Sequence, residues 1–156
     1  MKKLIVITGL MLALCLSSFV QAGELTLNTT LNGYQGNGAY LAIYLTDAKG
    51  KYHRTLWVAG SKRKYYKHLP DWARGSSLKI SEYDGMTGAS VTSGESLTVT
   101  VNIDDTLIDA GYLIRIDSAV EDQREHRIDV DVPLTRQGAG KAVVGRGYIK
   151  NFSYSL

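Results

Sequence analysis

Apolar and polar residues alternate along two stretches of the chain. From Leu97 to Ile103 every second residue is apolar, and Thr or Asn fills the positions between. The stretch from Ile128 to Leu134 repeats the pattern, with Asp129 and Asp131 at intervening positions. A period of two turns one apolar face inward and one polar face to water. Both stretches are therefore predicted to be half-buried strands, and the carboxylates of the second are predicted to face solvent.

Other short segments also have the composition of strands. Weaker alternation or a continuous apolar run marks the segments 25–31, 39–45, 113–116 and 152–156. The polar, Gly-containing segment 47–50 predicts a hairpin loop between two of them. Two stretches, 61–74 and 78–90, interrupt this rhythm, and the second is predicted to hold a short helical or irregular segment before a turn. Many closely spaced strands predict one all-β domain, an Ig-like or fibronectin-like antiparallel β-sandwich.

The first 22 residues have the features of a secretory signal peptide. Lys2 and Lys3 precede the apolar run 4–14, and small residues end the segment at Ala22. Such a run is too short to span a bilayer as a stable helix. The sequence therefore predicts cleavage after Ala22, export, and a mature β-sandwich domain of residues 23–156 without a membrane span.

Removal of that segment changes the charge and the cysteine content. The formal net charge falls from +3 to +1, so we do not expect the mature protein to bind nucleic acid. Cys15 is also removed, so the mature chain can form no disulfide.

Charge is uneven within the domain: 49–74 holds eight Lys or Arg and one acid, whereas 82–131 holds twelve acids and three arginines. Two solvated faces of opposite sign would explain this, as would a docking patch for an acidic partner or a phosphate group.

The usual catalytic and metal-binding patterns are missing from the sequence. His53, His68 and His126 lack the spacing of a zinc site. No nucleophile elbow, P-loop or dinucleotide-binding glycine pattern is present. We therefore expect no catalytic residue, no metal site and no enzymatic activity beyond, at most, that of a redox carrier.

One basic and aromatic segment, 54–72, contains both tryptophans. Its candidate stacking and docking residues are Trp57, Tyr65, Trp72, Lys62, Arg63 and Lys64. The aromatic rings could anchor the core and seal one end of the sandwich. Alternatively, exposed rings beside lysines could hold a planar, phosphorylated ligand by stacking and charge. The sequence leaves both interpretations open.

Several segments together resemble a known family. These are 54–60, Lys64-Tyr65, 69–72 and the turn 84–90, with a weaker likeness over 111–126. The chain is similar to the predicted periplasmic proteins called domain of unknown function 2271. The resemblance covers most of the mature chain, and it implies an Ig-like fold and a periplasmic location.

The turn 84–90 also resembles the acceptor motif of proteins that receive covalent FMN from a periplasmic flavin transferase. That motif is an Asp, two free positions, Ser or Thr, a small residue, Ala, and an acceptor Thr or Ser. Asp84, Thr87, Gly88, Ala89 and Ser90 fit it in order. The resemblance implies FMN on the Ser90 hydroxyl, with Thr87 as a supporting position. The alternative is an ordinary turn, in which Asp84 caps the chain and Gly88 supplies a positive φ.

Two functions follow as hypotheses. A flavinylated, monomeric protein would carry electrons between a membrane reductase and an extracytoplasmic acceptor. In it, Trp57, Tyr65 or Trp72 would stack on the flavin ring, and the lysines and arginine of 62–64 would face an acidic partner. The alternative is a cofactor-free Ig-like binding or accessory protein of the cell envelope.

Overall fold

Residues 22–156 are described by a computed structural model, in which two β-sheets pack face to face. The strands are β1 (Ala22–Leu31), β2 (Tyr40–Thr46), β3 (Tyr52–Ala59), β4 (Thr87–Gly88), β5 (Ser96–Asp104), β6 (Leu113–Ala119), β7 (His126–Pro133) and β8 (Ile149–Ser155). One sheet has the order β5-β1-β8 and the other β4-β3-β2-β6-β7. The predicted all-β sandwich is confirmed. One pairing departs from the antiparallel prediction, because β4 runs parallel to β3.

The main hydrophobic core lies between the two sheets. Its members include the alternating inward positions of β1 and β2: Leu25, Leu27, Leu31, Leu41, Ile43 and Leu45. Thr29 occupies the same inward row of β1 and is 1% exposed. In the β5 stretch Val99 and Ile103 are buried, as the alternation predicts.

A bulge in β7 changes the predicted exposure of one carboxylate. Ile116 pairs with Val130 and Ser118 with His126, so a single residue of β6 faces three residues of β7. Ile128, inside the bulge, has a φ of 48°, an unusual conformation for a β-branched residue. The bulge turns Asp129 inward, where it is 1% exposed. The prediction that this carboxylate faces water is therefore wrong.

A helical layer covers part of the outer face of the five-stranded sheet. It consists of the 3₁₀ helix Arg63–His68, the α-helix α1 (Pro70–Ser76) and the 3₁₀ turn Ile80–Glu82. Pro70 stands at the start of α1, where its missing N–H costs no hydrogen bond. A second core packs beneath this layer, and its aromatic members include Tyr44, Tyr66, Trp72 and Tyr83.

Within residues 22–156, no helix is long and apolar enough to cross a membrane. The predicted signal peptide and Cys15 lie outside the described residues, except for Ala22, which is the first residue of β1.

Candidate functional site

The turn 84–90 leads into an edge of the five-stranded sheet. Its chain is fixed at two points, because the Gly60 N–H donates to the Gly88 carbonyl at 2.8 Å and the Val91 N–H to the Ala39 carbonyl at 3.0 Å. Between these anchors Ala89 and Ser90 are exposed. The candidate acceptor hydroxyl therefore belongs to a surface residue held between two fixed points.

The other motif residues shape the turn. Asp84 and Thr87 are exposed, and Thr87 pairs with Val58 in the short parallel ladder. The positive φ of the turn, 73°, belongs to Gly85 rather than to Gly88. Gly88 is instead a strand residue, so the interpretation in which it supplies the positive φ is wrong.

Gly88 is packed against Trp57. A Cβ atom at Gly88 would lie 2.8 Å from Cζ2 of the Trp57 indole, which is too close for a real contact. Trp57 reaches this position through a register shift near Ile43, after which Leu56 and Trp57 both contact the core between the sheets. The small residue of the motif thus makes room for an aromatic ring of the chain itself.

Trp57 and Ser90 line the same cleft. It has a volume of about 310 Å³, and its lining also includes Gly88, Val91 and Leu97. Trp57 is half-buried, and its indole N–H is buried without a hydrogen-bond partner in the described part of the chain. The cleft therefore combines part of an apolar ring with an aliphatic hydroxyl, while the indole N–H stays buried.

The remaining candidate aromatics lie elsewhere. Trp72 is fully buried, and its indole N–H donates to Thr55 Oγ1 at 2.9 Å. It has no exposed face for a ligand, so the structure corrects the prediction that it could stack on one, and its role is to anchor the core. Tyr65 packs edge-on against Tyr40 at 5.3 Å between ring centroids and donates a hydrogen bond to Glu121. Neither residue lines the Trp57 cleft.

The basic residues 62–64 follow β3 closely. All three are exposed. The Arg63 guanidinium lies 5.5 Å from the centroid of the Tyr83 ring, and the Lys64 ammonium lies 4.7 Å from that of Tyr65. Nearby, His68 Nδ1 lies 3.2 Å from Glu125 Oε2. Glu121 and Glu125, in the loop between β6 and β7, therefore contact one side of this basic segment, while Lys62, Arg63 and Lys64 remain exposed.

Two buried carboxylates escaped the sequence prediction. Asp117 on β6 accepts from the backbone N–H groups of Asp71 (2.8 Å), Trp72 (2.9 Å) and Ile128 (3.0 Å), and from the Tyr44 hydroxyl (3.1 Å). Burial raises the pKa of Asp117, and the four hydrogen bonds oppose the rise because they favour the ionised form. The signal was its position directly after the apolar run 113–116.

Asp129 has a comparable structural role on β7. It accepts from the Ser118 hydroxyl and from the backbone N–H groups of Gly147 (2.7 Å) and Tyr148 (2.9 Å). These contacts fasten the segment before β8 to the sheet. Among residues 22–156, no group of three or more His, Cys, Asp or Glu side chains is arranged to hold a metal ion.

A family model described as "Predicted periplasmic protein (DUF2271)" matches residues 22–151. The chain belongs to this family. No curated protein and no solved structure matches the chain. Membership confirms the resemblance to this family that the sequence indicated. The DUF2271 description gives a compartment rather than an activity, so a function has to be argued from the site.

Proposed function

We propose that Ser90 is the acceptor for covalently bound FMN and that the protein carries electrons in the periplasm. The main support is that the exposed Ser90 lies in the same cleft as the half-buried ring of Trp57. A hydroxyl that a transferase must reach has to be on the surface, and a flavin tethered there needs an apolar surface nearby.

Attachment requires a flavin dinucleotide, FAD, as the donor. The Ser90 oxygen forms a phosphoester bond with the phosphorus of the FMN portion while the pyrophosphate bond of the donor breaks. AMP leaves, and the hydroxyl proton passes to a base of the transferase. No oxidation or reduction occurs in this step, so no further reactant is needed.

Trp57 is the residue of this chain best suited to hold the isoalloxazine ring. Its indole is fixed between the core and Gly88, and it is only half-buried, so part of the ring is open to the cleft. Bound FMN would supply the electron-transfer chemistry, while the protein supplies position and a partly apolar environment. Ala89 adds little bulk beside the acceptor.

Lys62, Arg63 and Lys64 would serve in docking. They follow Gly60, which is hydrogen-bonded to Gly88 two residues before the acceptor. Three exposed cationic side chains at this end of β3 suit an acidic face of a membrane reductase or another redox partner. The dependence of such docking on ionic strength would reveal it.

Co-expression with a flavin transferase tests the acceptor directly. We expect in-gel flavin fluorescence, and a mass increase equal to FMN minus one water. Ser90→Ala should abolish both signals with an unchanged circular dichroism spectrum, because an exposed turn residue contributes little to stability. Thr92→Ala is the matched control, since it removes a hydroxyl from the same cleft outside the motif and should leave labelling intact.

Two further results would decide against this function. If the wild-type protein stays unlabelled under conditions that label a known acceptor, Ser90 is not a substrate of the transferase. If Ser90→Ala is labelled as strongly as the wild type, another hydroxyl is the acceptor, and Thr87→Ala would show whether it is the other hydroxyl of the motif.

The position of the flavin can be tested by fluorescence. In the labelled protein the flavin should quench the emission of Trp57, and this emission should recover in protein without flavin.

A further inference from the structure

A second cleft lies on the outer face of the five-stranded sheet, beyond α1. Its volume is about 400 Å³, and four cationic side chains contribute to its lining: Lys49, Arg74, Arg115 and Arg127. They come from the β2–β3 hairpin loop, α1, β6 and β7. We call this the basic cleft. Because four separate elements supply its charges, they surround one space rather than forming a linear patch.

The charges of the basic cleft are only partly neutralised within the protein. Arg74 and Arg127 share the carboxylate of Asp71, and Arg115 Nε lies 3.1 Å from Asp131. Among residues 22–156, Lys49 has no carboxylate within salt-bridge distance. A backbone hydrogen bond within the hairpin loop lowers the pKa of Asp47, and the nearby charge of Lys49 lowers it further, but of the nearby acids only Asp71 lines the cleft. The lining itself therefore has four cations and one carboxylate.

The wall of the cleft contains an unsatisfied donor. Thr46 lines it, is 1% exposed, and has a hydroxyl without a hydrogen-bond partner in the described part of the chain. A buried hydroxyl of this kind carries a free-energy cost unless something accepts its proton. The Arg115 guanidinium lies close to Gly50, where a Cβ atom would be 2.9 Å from Nη1. Gly50 thus lets the hairpin backbone approach the guanidinium.

The geometry of the basic cleft is held in place from beneath. Asp117 binds the backbone of Asp71 at the start of α1 and the backbone of Ile128 in the bulge of β7. These contacts position the residues next to Arg127 and fix Asp71, which orients both Arg74 and Arg127. A preorganised set of donors binds an anion without first having to be ordered.

We propose that the basic cleft binds the phosphate group of a small phosphorylated molecule. Arginine forks and a lysine that converge from several elements suit a tetrahedral oxyanion, which accepts hydrogen bonds from many directions. A planar carboxylate would use fewer of these donors. The volume exceeds what a phosphate fills, which leaves room for the rest of the molecule beside Tyr52. The site is separate from Ser90 and does not depend on flavinylation.

Titration of the ¹⁵N-labelled protein with inorganic phosphate and with pyrophosphate, at constant ionic strength, tests this site. We expect saturable amide shifts at Gly50, Gly75 and Ile128, with pyrophosphate binding more tightly. The double variant Lys49→Gln/Arg127→Gln should weaken binding by more than roughly tenfold, given the usual strength of charge-assisted hydrogen bonds. Thr46→Val, which keeps the side-chain shape, should weaken it less.

The matched control is Lys62→Gln/Lys64→Gln, which removes the same charge from the segment after β3. If the control variant binds phosphate as tightly as the wild type while Lys49→Gln/Arg127→Gln does not, the binding site is local to the basic cleft. If both double variants lose the same affinity for phosphate, overall charge explains the binding and the assignment of the site is overturned. Shifts that never saturate would also overturn it, as would binding of succinate that is as tight as that of pyrophosphate. Unchanged affinity in both Thr46→Val and the Lys49/Arg127 variant would have the same consequence.

Discussion

Replacement of the Asp117 side chain should weaken the attachment of α1 to the sheet and so lower the stability of the protein. Asp117→Ala removes the acceptor for four donors at once: two N–H groups in the first turn of α1, the Ile128 N–H and the Tyr44 hydroxyl. The two helix donors resemble a capping interaction, whose loss costs about 0.5–2 kcal/mol. Each of the other donors, left unsatisfied in the interior, costs about 1–3 kcal/mol.

Because such losses are not additive, we expect the free energy of unfolding to fall by about 3–5 kcal/mol. That is a large part of the 5–15 kcal/mol that is typical of a domain. Urea titration followed by circular dichroism and by tryptophan emission, to which the buried Trp72 contributes, measures it. Asp117→Asn keeps the volume but offers one acceptor oxygen, so it should cost about half as much.

The control for this experiment is Asp131→Ala. Asp131 is partly exposed and has a single ion pair with Arg115, so its loss should cost no more than about 1 kcal/mol. If Asp117→Ala costs no more than this control, the four hydrogen bonds do not hold α1 to the sheet. The Asp117 support for the basic cleft would then also be wrong.

Three further predictions concern other parts of the sandwich. Gly88→Ala should push the Trp57 ring aside, shift its emission maximum and cost about 1–3 kcal/mol, whereas an unchanged spectrum and stability would contradict the close packing. Thr29→Val should raise the free energy of unfolding by about 1 kcal/mol in urea titration, because the buried Thr29 hydroxyl lacks a partner within residues 22–156; a loss of stability would reveal a hidden one. Hydrogen bonds from the side chain and backbone of Arg136 lower the pKa of Asp109 below 3.8, so its contribution to stability is present above that pH and is lost as the pH falls through the lowered value. A carboxyl NMR titration should show this pKa rising in Arg136→Gln.

The strands were predictable because their burial follows a local rule. The alternation from Leu97 to Ile103 predicts β5, and the apolar run 39–45 predicts β2, since a strand that has one buried face has a period of two and a fully covered one has none. The polar loop 47–50 was also predictable from local information, because its turn residues determine its conformation. These parts of the fold need no knowledge of distant contacts.

The helical layer and the buried carboxylates were harder to predict. The exposure of Asp129 depends on a bulge that opposes three residues of β7 to one of β6, and no periodicity within β7 indicates it. Trp72 and Trp57 occur in the same basic segment, yet one is sealed beneath α1 and the other lines a cleft. The face that Trp57 takes depends on the register shift in β3, which is set by pairing with β2, whereas the position of Trp72 depends on how α1 packs on the sheet.

The two proposed sites use opposite faces of one sheet. Trp57 packs toward the core between the sheets, and Ser90 precedes Val91, which pairs with Ala39 just before β2. Thr46 ends β2 beside the basic cleft on the outer face. Seven strand residues span about 23 Å at 3.3 Å each. A phosphate in the basic cleft would therefore not touch a group on Ser90, and substitutions in one site should leave binding at the other unchanged. A common loss of flavin labelling and phosphate binding in one variant would mean that the sheet itself had been disrupted.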